Sequence, residues 1–265
     1  HDEVMRGIRT AMDEVKPDAW LVAENGDFVA SDLDGFGWHG AMNYQGFMRP
    51  LWNWINQNSS IGGGFQGLPF EMPKIGGKSL VASMVQFSSS IPWRSLVASM
   101  VLLDSHDTAR MRTVVSGDRK AHLSAMTAML TYPGVPSIFA GDEIGLEGSW
   151  GEDSRRTINW EDRSGWDHDF LAEAKKLIEL RRTQDGLIEG GLRWVAVEDN
   201  FICYLRESHK QSVLVFISRK AVRTEIDLAG YGLKVVKTLY GPDATGASIK
   251  IDSDGATQGI WEVKS

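Results

Sequence analysis

The segment MVLLDSHD at residues 100–107 runs from four apolar residues directly into the polar group Asp104-Ser105-His106-Asp107. The apolar part has the length and composition of a short buried strand. A second apolar run, at 20–23, ends in the same way, in Glu24-Asn25-Gly26-Asp27. In parallel α/β folds, catalytic side chains lie at the carboxyl ends of strands. The two polar strand ends are therefore the first candidates for a functional site.

Helical patterns separate these strands from their neighbours. Two more strands are predicted at 41–44 and 135–140, and apolar residues recur at helical spacing over 2–15, 51–55, 79–90, 120–130 and 170–182. Strands that alternate with helices of ten or more residues indicate parallel βαβ units. The sequence up to residue 184 therefore predicts an α/β fold.

The character of the sequence changes near residue 186. Seven short alternating runs follow, separated by turn residues, at 193–197, 201–206, 212–217, 223–228, 235–240, 247–251 and 259–263. This spacing is typical of an antiparallel β-sandwich. We therefore expect an α/β region at 1–184 and an all-β domain at 185–265.

Composition excludes several classes of protein. The 265 residues carry a net charge of −7 and contain no lysine or arginine block, which argues against nucleic acid or an anionic membrane as the main partner. No apolar run is long enough for a membrane span. A single cysteine excludes an internal disulfide framework, and six histidines without a metal-ligand spacing predict no catalytic metal. These features leave the compartment open.

Glu24 and Asp107 can meet over one pocket, because each follows a strand of the same predicted sheet. A carboxyl that donates a proton beside a carboxylate that stays ionised is the arrangement that glycoside hydrolysis needs. The alternative is that both side chains only cap the helices that follow them. The pattern by itself leaves both readings open.

Three motifs narrow the choice: VAENGD at 22–27, LLDSHDTAR at 102–110 and PGVPSIFAGDEIGLEG at 133–148. In their order and spacing they resemble the α-amylase family of glycoside hydrolases. RRTINW at 155–160 fits the usual continuation of that family. The resemblance covers essentially the whole chain. It implies a partial (β/α)8 TIM barrel, with about the last four strands and their helices, followed by the β-sandwich.

The resemblance also implies roles for individual residues. Glu24 matches the family's general acid/base, and His106 and Asp107 match the pair that binds sugar hydroxyls and stabilises the transition state. Tyr44 matches a segment beside the site, with a core position as the alternative. Arg110 is expected to keep Asp107 ionised if the two lie close together, with a surface ion pair as the alternative. The implied reaction is retaining hydrolysis of α-1,4-glucosidic bonds in starch or maltodextrins.

One family motif is missing from the sequence. The nucleophile of the family is an aspartate in a segment that reads roughly Gly-x-Arg-x-Asp, and no such segment occurs here. Asp2 and Asp13 lie on the first predicted helix, and neither follows a strand. We therefore expect the C-terminal half of the enzyme, inactive alone and lacking the N-terminal half of the parent chain. Uncovered edges of the half-barrel predict that the chain forms a homodimer, swaps elements with another copy, or covers its open side with loops. No cofactor is expected; structural calcium in this family belongs mainly to the absent half.

Several alternatives remain open from the sequence. A transglycosylase or a trehalose- or sucrose-active relative would share every motif. A non-catalytic carbohydrate-binding module could use Trp194 and Trp261 of the predicted sandwich. Four tryptophans in or near the loops are candidates for stacking on sugar rings, although packing is the commoner role: Trp38, Trp52, Trp54 and Trp150. The glycine run at 62–64 is interpreted as a flexible loop.

Overall fold

The computed structural model describes residues 2–25, 29–56 and 72–265; Gly26, Asp27 and the glycine run at 62–64 lie outside these ranges. Its first part alternates helices with short strands. In chain order these are α1 (Asp2–Val15), β1 (Val22–Ala23), β2 (Gly40–Ala41), α2 (Arg49–Ile55), α3 (Gly77–Ser89), α4 (Trp93–Val97), β3 (Met100–Leu102), α5 (Met111–Val114), α6 (Arg119–Thr131), β4 (Val135–Ser137), α7 (Gly151–Ser154), α8 (His168–Thr183) and α9 (Asp185–Glu189).

The strands β1 to β4 lie side by side in chain order, and every pairing between them is parallel. Val22 lies opposite Gly40 in the β1–β2 pair, and Met100 lies opposite Val135 in the β3–β4 pair. A parallel bridge between Met42 and Met100 connects the two pairs. The carboxyl ends of all four strands therefore point the same way, as the βαβ pattern predicted.

The strand predicted at 41–44 is shorter than expected. It ends at Ala41, and Tyr44 begins a single π-helical turn that leads into α2. The side chain of Asn43 accepts a hydrogen bond from the backbone N–H of Gly46 at 2.9 Å. This capping bond gives the backbone an alternative to a sheet ladder, which is why the strand stops here.

The second part of the chain is antiparallel. Its seven strands match the seven predicted runs: β5 (Gly191–Glu198), β6 (Phe201–Glu207), β7 (Ser212–Ser218), β8 (Val222–Asp227), β9 (Lys234–Tyr240), β10 (Ser248–Ser253) and β11 (Gln258–Lys264). Five of them form one sheet in the order β5-β6-β7-β11-β9, and β8 pairs with β10.

The five-stranded sheet is buried on both faces. Ile202 and Tyr204 of β6 pack into the hydrophobic core of the α/β part. Cys203 of the same strand packs into a second cluster, together with Ile249 and Ile251 of β10. The sheet therefore joins the two parts of the chain. Helix α9 and strand β5 meet close to the boundary expected at 184/185, and the assignment of two separate domains stays a prediction.

The apolar face of α1 is only partly covered. Met5 is 3% exposed, whereas Val4 and Ile8 are 67% and 45% exposed. Among the described residues, β1 pairs only with β2 and β4 only with β3, so each has one unpaired edge. No helix in the three described ranges combines the length and the apolar character that a membrane span requires.

Candidate active site

The structure brings together three of the five residues singled out from the sequence. Glu24 follows β1 directly, and His106 and Asp107 follow β3. A carboxylate oxygen of Glu24, a ring nitrogen of His106 and a carboxylate oxygen of Asp107 all lie within 4.8 Å of one another. Glu24 and His106 are exposed and Asp107 is half-buried, so a ligand can reach the cluster from solvent.

Asp107 is not the cap of the helix that follows it. Helix α5 begins only after Arg110, whose side chain makes no capping bond. The carboxylate of Asp107 instead lies 3.4 Å from the Nε2 atom of His106. The Asp107 carboxylate is therefore not used to cap the start of α5, which favours a catalytic role for the motif.

A tight turn holds His106 and Asp107 in place. The backbone N–H of Asp107 donates to the hydroxyl of Ser105 at 3.2 Å, and the N–H of Ser105 donates to the hydroxyl of Thr108 at 2.9 Å. The phenol of Tyr44 donates to the Ser105 hydroxyl at 3.0 Å, and burial raises the pKa of that phenol. Tyr44 is buried beneath the turn, so it supports the cluster from below.

Arg110 does not pair with Asp107, and that expectation is wrong. Arg110 is buried, and its guanidinium pairs with the carboxylate of Asp142 at 2.8 Å. Its two other nitrogens donate to the backbone carbonyls of Ala140 and Ser154. A buried guanidinium needs acceptors for its donors, and these three partners give each of its three nitrogens one acceptor.

The arginine that pairs with Asp107 is Arg155. Its Nη2 atom lies 3.0 Å from Oδ1 of Asp107, and its Nε atom donates to the carbonyl of His106 at 3.1 Å. In the sequence, Arg155 stands out only as part of the RRTINW motif. No local pattern reveals a contact across 48 residues of sequence, so this residue was missed.

Most of the candidate tryptophans pack in the core. Trp52 and Trp54 are fully buried, and their indole N–H groups donate to the carbonyls of Leu103 and Asp199 at 2.6 and 2.9 Å. Trp38 packs against the same core. Trp150, directly before α7, is exposed and stays a candidate for stacking on a sugar ring.

The C-terminal sheets offer little of the sugar-binding surface that the alternative reading required. Trp261 is 0% exposed, and its indole N–H donates to the carbonyl of Pro242 at 3.0 Å. Trp194 is half-buried and packs edge-on against Tyr204, with ring centroids 5.3 Å apart. Stacking on a sugar needs an open aromatic face, and Trp261 cannot provide one.

Comparison with known protein families gives a match over most of the chain. The family model described as alpha amylase, catalytic domain, matches residues 1–169. This range contains Glu24, His106 and Asp107, together with Arg155. It ends before the antiparallel sheets.

Two curated relatives are similar in sequence. A cyclomaltodextrinase from Bacillus sp. is 28% identical over 247 residues, which are 92% of this chain and 40% of that protein. An intracellular maltogenic amylase from Bacillus subtilis is 29% identical over 224 residues, 83% of this chain and 35% of that protein. The chain therefore spans well under half the length of these relatives.

Solved structures give the same fold. A debranching enzyme from Nostoc punctiforme matches 97% of this chain and 54% of its own, with a TM-score of 0.85 at 23% identity. A cyclic α-maltosyl-(1→6)-maltose hydrolase from Arthrobacter globiformis matches 98% of this chain and 53% of its own, with a TM-score of 0.79 at 21% identity. At this level of identity the likeness concerns the fold.

Proposed function

The chain belongs to the α-amylase family, and on that premise we propose that it carries part of the active centre of a retaining α-glucan hydrolase. The proposed substrates are the α-1,4-glucosidic bonds of starch or maltodextrins. The observation that carries the proposal is the cluster of Glu24, His106 and Asp107 within 4.8 Å at the carboxyl ends of parallel strands. The names of the relatives, a cyclomaltodextrinase and a maltogenic amylase, support this class of substrate.

Glu24 is the proposed general acid/base. As an acid it protonates the glycosidic oxygen, so that the leaving sugar departs as an alcohol; afterwards it takes a proton from the water that attacks. This role needs a carboxyl that solvent and substrate can both reach, and the Glu24 side chain is exposed at the end of β1.

Asp107 and His106 act on the sugar ring. The negative charge of Asp107 stabilises the positive charge that develops near the anomeric carbon in an oxocarbenium-like transition state. His106 donates a hydrogen bond to a neighbouring hydroxyl, which strengthens as the ring flattens. Arg155 fixes the Asp107 carboxylate from one side at 3.0 Å, and the turn hydroxyl of Ser105 fixes its backbone.

The second carboxylate of a retaining mechanism has no counterpart among these residues. Such a nucleophile must stand about 5 Å from the acid. No Gly-x-Arg-x-Asp segment occurs in the 265 residues. We therefore propose that this chain alone hydrolyses glucans only at the background rate. Turnover then requires a nucleophile supplied by the N-terminal half of the catalytic domain.

The test is the release of a chromophore from a chromogenic maltooligosaccharide. The chain alone is expected to give background release, and a longer polypeptide that includes the nucleophile segment is expected to be active. In that polypeptide Glu24→Gln should lower kcat by about 10²- to 10⁴-fold, the usual contribution of a general acid/base. Glu179→Gln, on the exposed side of α8, is the matched control. Full activity of Glu24→Gln would contradict the proposed role.

A further inference from the structure

Two buried carboxyls lie beneath the candidate site with only one guanidinium beside them. Asp104 lies two residues after the end of β3, and Asp142 begins a short turn after β4. Asp104 and Asp142 are each 2% exposed, and Arg110 is 1% exposed. Arg110 forms its ion pair with Asp142, at 2.8 Å. If both carboxyls were ionised, the group would hold an uncompensated buried negative charge, which is strongly unfavourable.

The hydrogen bonds around Asp104 indicate which of its two carboxyl oxygens carries a proton. Its Oδ2 atom accepts from the backbone N–H of Met111 at 2.5 Å. Its Oδ1 atom is buried and receives no donor from the described residues, and the Asp104 carboxyl interacts with the Asp142 carboxyl. Two carboxylate oxygens repel each other unless one of them carries a hydrogen. A proton on Oδ1 of Asp104, donated to Asp142, satisfies both groups.

The other charged groups near the pair agree with this assignment. Glu143 adds further negative charge close to Asp142. The Glu143 carboxylate itself accepts a hydrogen bond from the N–H of Gly141 at 2.8 Å. Burial raises the pKa of Asp142 to about 6 even with Arg110 beside it. The pKa of Asp104 is raised well above its ordinary value, mainly by burial and secondly by the negative charge of Asp142.

We infer that Asp104 is a neutral carboxylic acid that donates a hydrogen bond to Asp142, and that it acts as a positioning residue for the candidate site. The bond ties the loop after β3, which carries His106 and Asp107, to the loop after β4. The inferred hydrogen bond rests on the burial of both carboxyls and on the unpartnered Oδ1 atom of Asp104; its value for catalysis rests on the proposed function.

The pair is connected to both sides of Asp107. On one side, Asp104 is three residues ahead of Asp107 in the same loop. On the other side, Asp142 holds Arg110, and Arg110 donates to the carbonyl of Ser154 at 2.8 Å. The residue after Ser154 is Arg155, which contacts the Asp107 carboxylate. The proton inferred on Asp104 therefore supports both the loop that carries Asp107 and the loop that carries Arg155.

The first test is infrared spectroscopy of the chain itself. A protonated carboxyl has a C=O stretch that a carboxylate lacks, so wild-type protein at neutral pH should retain one carboxylic-acid band. Asp104→Asn should remove that band, because the asparagine amide can make the same donation to Asp142 without a titrating proton. Asp18→Asn, at an exposed position, should leave it. Absence of the band from the wild type, or its persistence in Asp104→Asn, would overturn the inference.

The second test is thermal unfolding as a function of pH. A carboxyl whose pKa is raised on folding contributes stability at low pH that is lost as the pH rises through its folded value. The Tm of the wild type should therefore fall as the pH rises from about 4, the ordinary pKa of a carboxyl, toward the raised pKa of folded Asp104, and Asp104→Asn should at least halve that fall. An equal fall in both proteins would contradict the inference.

A third measurement separates positioning from simple stability. The imidazole NMR signals of His106 should be the same in Asp104→Asn as in the wild type, and they should move in Asp104→Ala, which cannot donate to Asp142. If Asp104→Ala does not fold, the infrared and pH results on Asp104→Asn still decide the question. None of these readouts uses glucan hydrolysis, so failure of the proposed function would leave them unchanged.

Discussion

At the scale of single residues, the candidate site depends on how firmly Asp107 is held. Its carboxylate has two charged or polar neighbours, the imidazole of His106 at 3.4 Å and the guanidinium of Arg155 at 3.0 Å. Arg155 also donates to the carbonyl of His106, so a single side chain fixes both catalytic candidates. The bidentate reach of a guanidinium suits this task better than the point charge of a lysine.

Removal of Arg155 should therefore slow the reaction without unfolding the protein. Arg155 is 45% exposed, so solvent screens its ion pair and limits the contact to about 1 kcal/mol. We expect Arg155→Met to lower kcat about fivefold in the active, longer polypeptide, with little change in KM. Arg155→Lys should recover part of the loss. The neighbouring Arg156→Met is the control, because Arg156 pairs with Asp153. A change in KM alone would contradict a positioning role.

The residue scale also marks the limit of prediction from the sequence. Glu24, His106 and Asp107 could be predicted, because Glu24 directly follows β1, the other two lie in the loop after β3, and strand ends converge in a parallel sheet. The partners of Arg110 and Arg155 could not. Their ion pairs join residues 32 and 48 positions apart, and loop geometry decides which arginine reaches Asp107.

At the scale of elements, a buried arginine joins the five-stranded sheet to the helices of the α/β part. Arg206 of β6 is buried, and it donates to the carbonyl of Thr131 at the end of α6 and to that of Gly190 after α9. The pKa of Arg206 is lowered to about 10, mainly by burial and secondly by the positive charge of Arg181. This side chain therefore ties one strand to the ends of two helices.

Replacement of Arg206 should lower stability substantially. Arg206→Met leaves buried carbonyls without donors, which costs about 2–4 kcal/mol. For a chain of this size the Tm should fall by about 5–15 °C, as measured by calorimetry. Arg193→Met, which removes an exposed pair with Glu207, should change the Tm by no more than about 3 °C. Equal losses in the two variants would contradict the interpretation.

Most elements could be predicted from the pattern of apolar residues, and the exceptions have local causes. The seven antiparallel runs each became a strand, because turn residues bound them on both sides. The run at 41–44 contributes only the end of the short strand β2, because the Asn43 side chain caps the turn that follows. Burial of the large sheet on both faces was not foreseen, since it depends on how the two parts of the chain pack.

At the scale of the whole molecule, the uncovered apolar surface is the feature with the clearest consequence. Val4 and Ile8 expose large fractions of their side chains on α1, and β1 and β4 each have an unpaired edge among the described residues. Exposed apolar faces and open strand edges favour association.

We therefore expect the chain to form a homodimer in solution. Light scattering should give twice the mass of 29.4 kDa for the wild type. The double variant Val4→Lys/Ile8→Lys should shift the mass toward the monomer, because two charges oppose burial of the helix face. Glu3→Lys/Glu14→Lys, at exposed positions of the same helix, is the matched control. A monomeric wild type would contradict this expectation.

The central claim is that the cluster of Glu24, His106 and Asp107 receives a glucan, and titration of maltotriose into histidine-labelled protein tests it most directly. The chain has six histidines, which provide internal controls for one another. We predict that the imidazole signals of His106 shift on addition of the sugar, even if binding is only millimolar, and that Glu24→Gln weakens the response. His122, which is buried, and His209, which is exposed in the turn between β6 and β7, should not respond. A response at His209 with none at His106, or no response at any histidine, would contradict the claim.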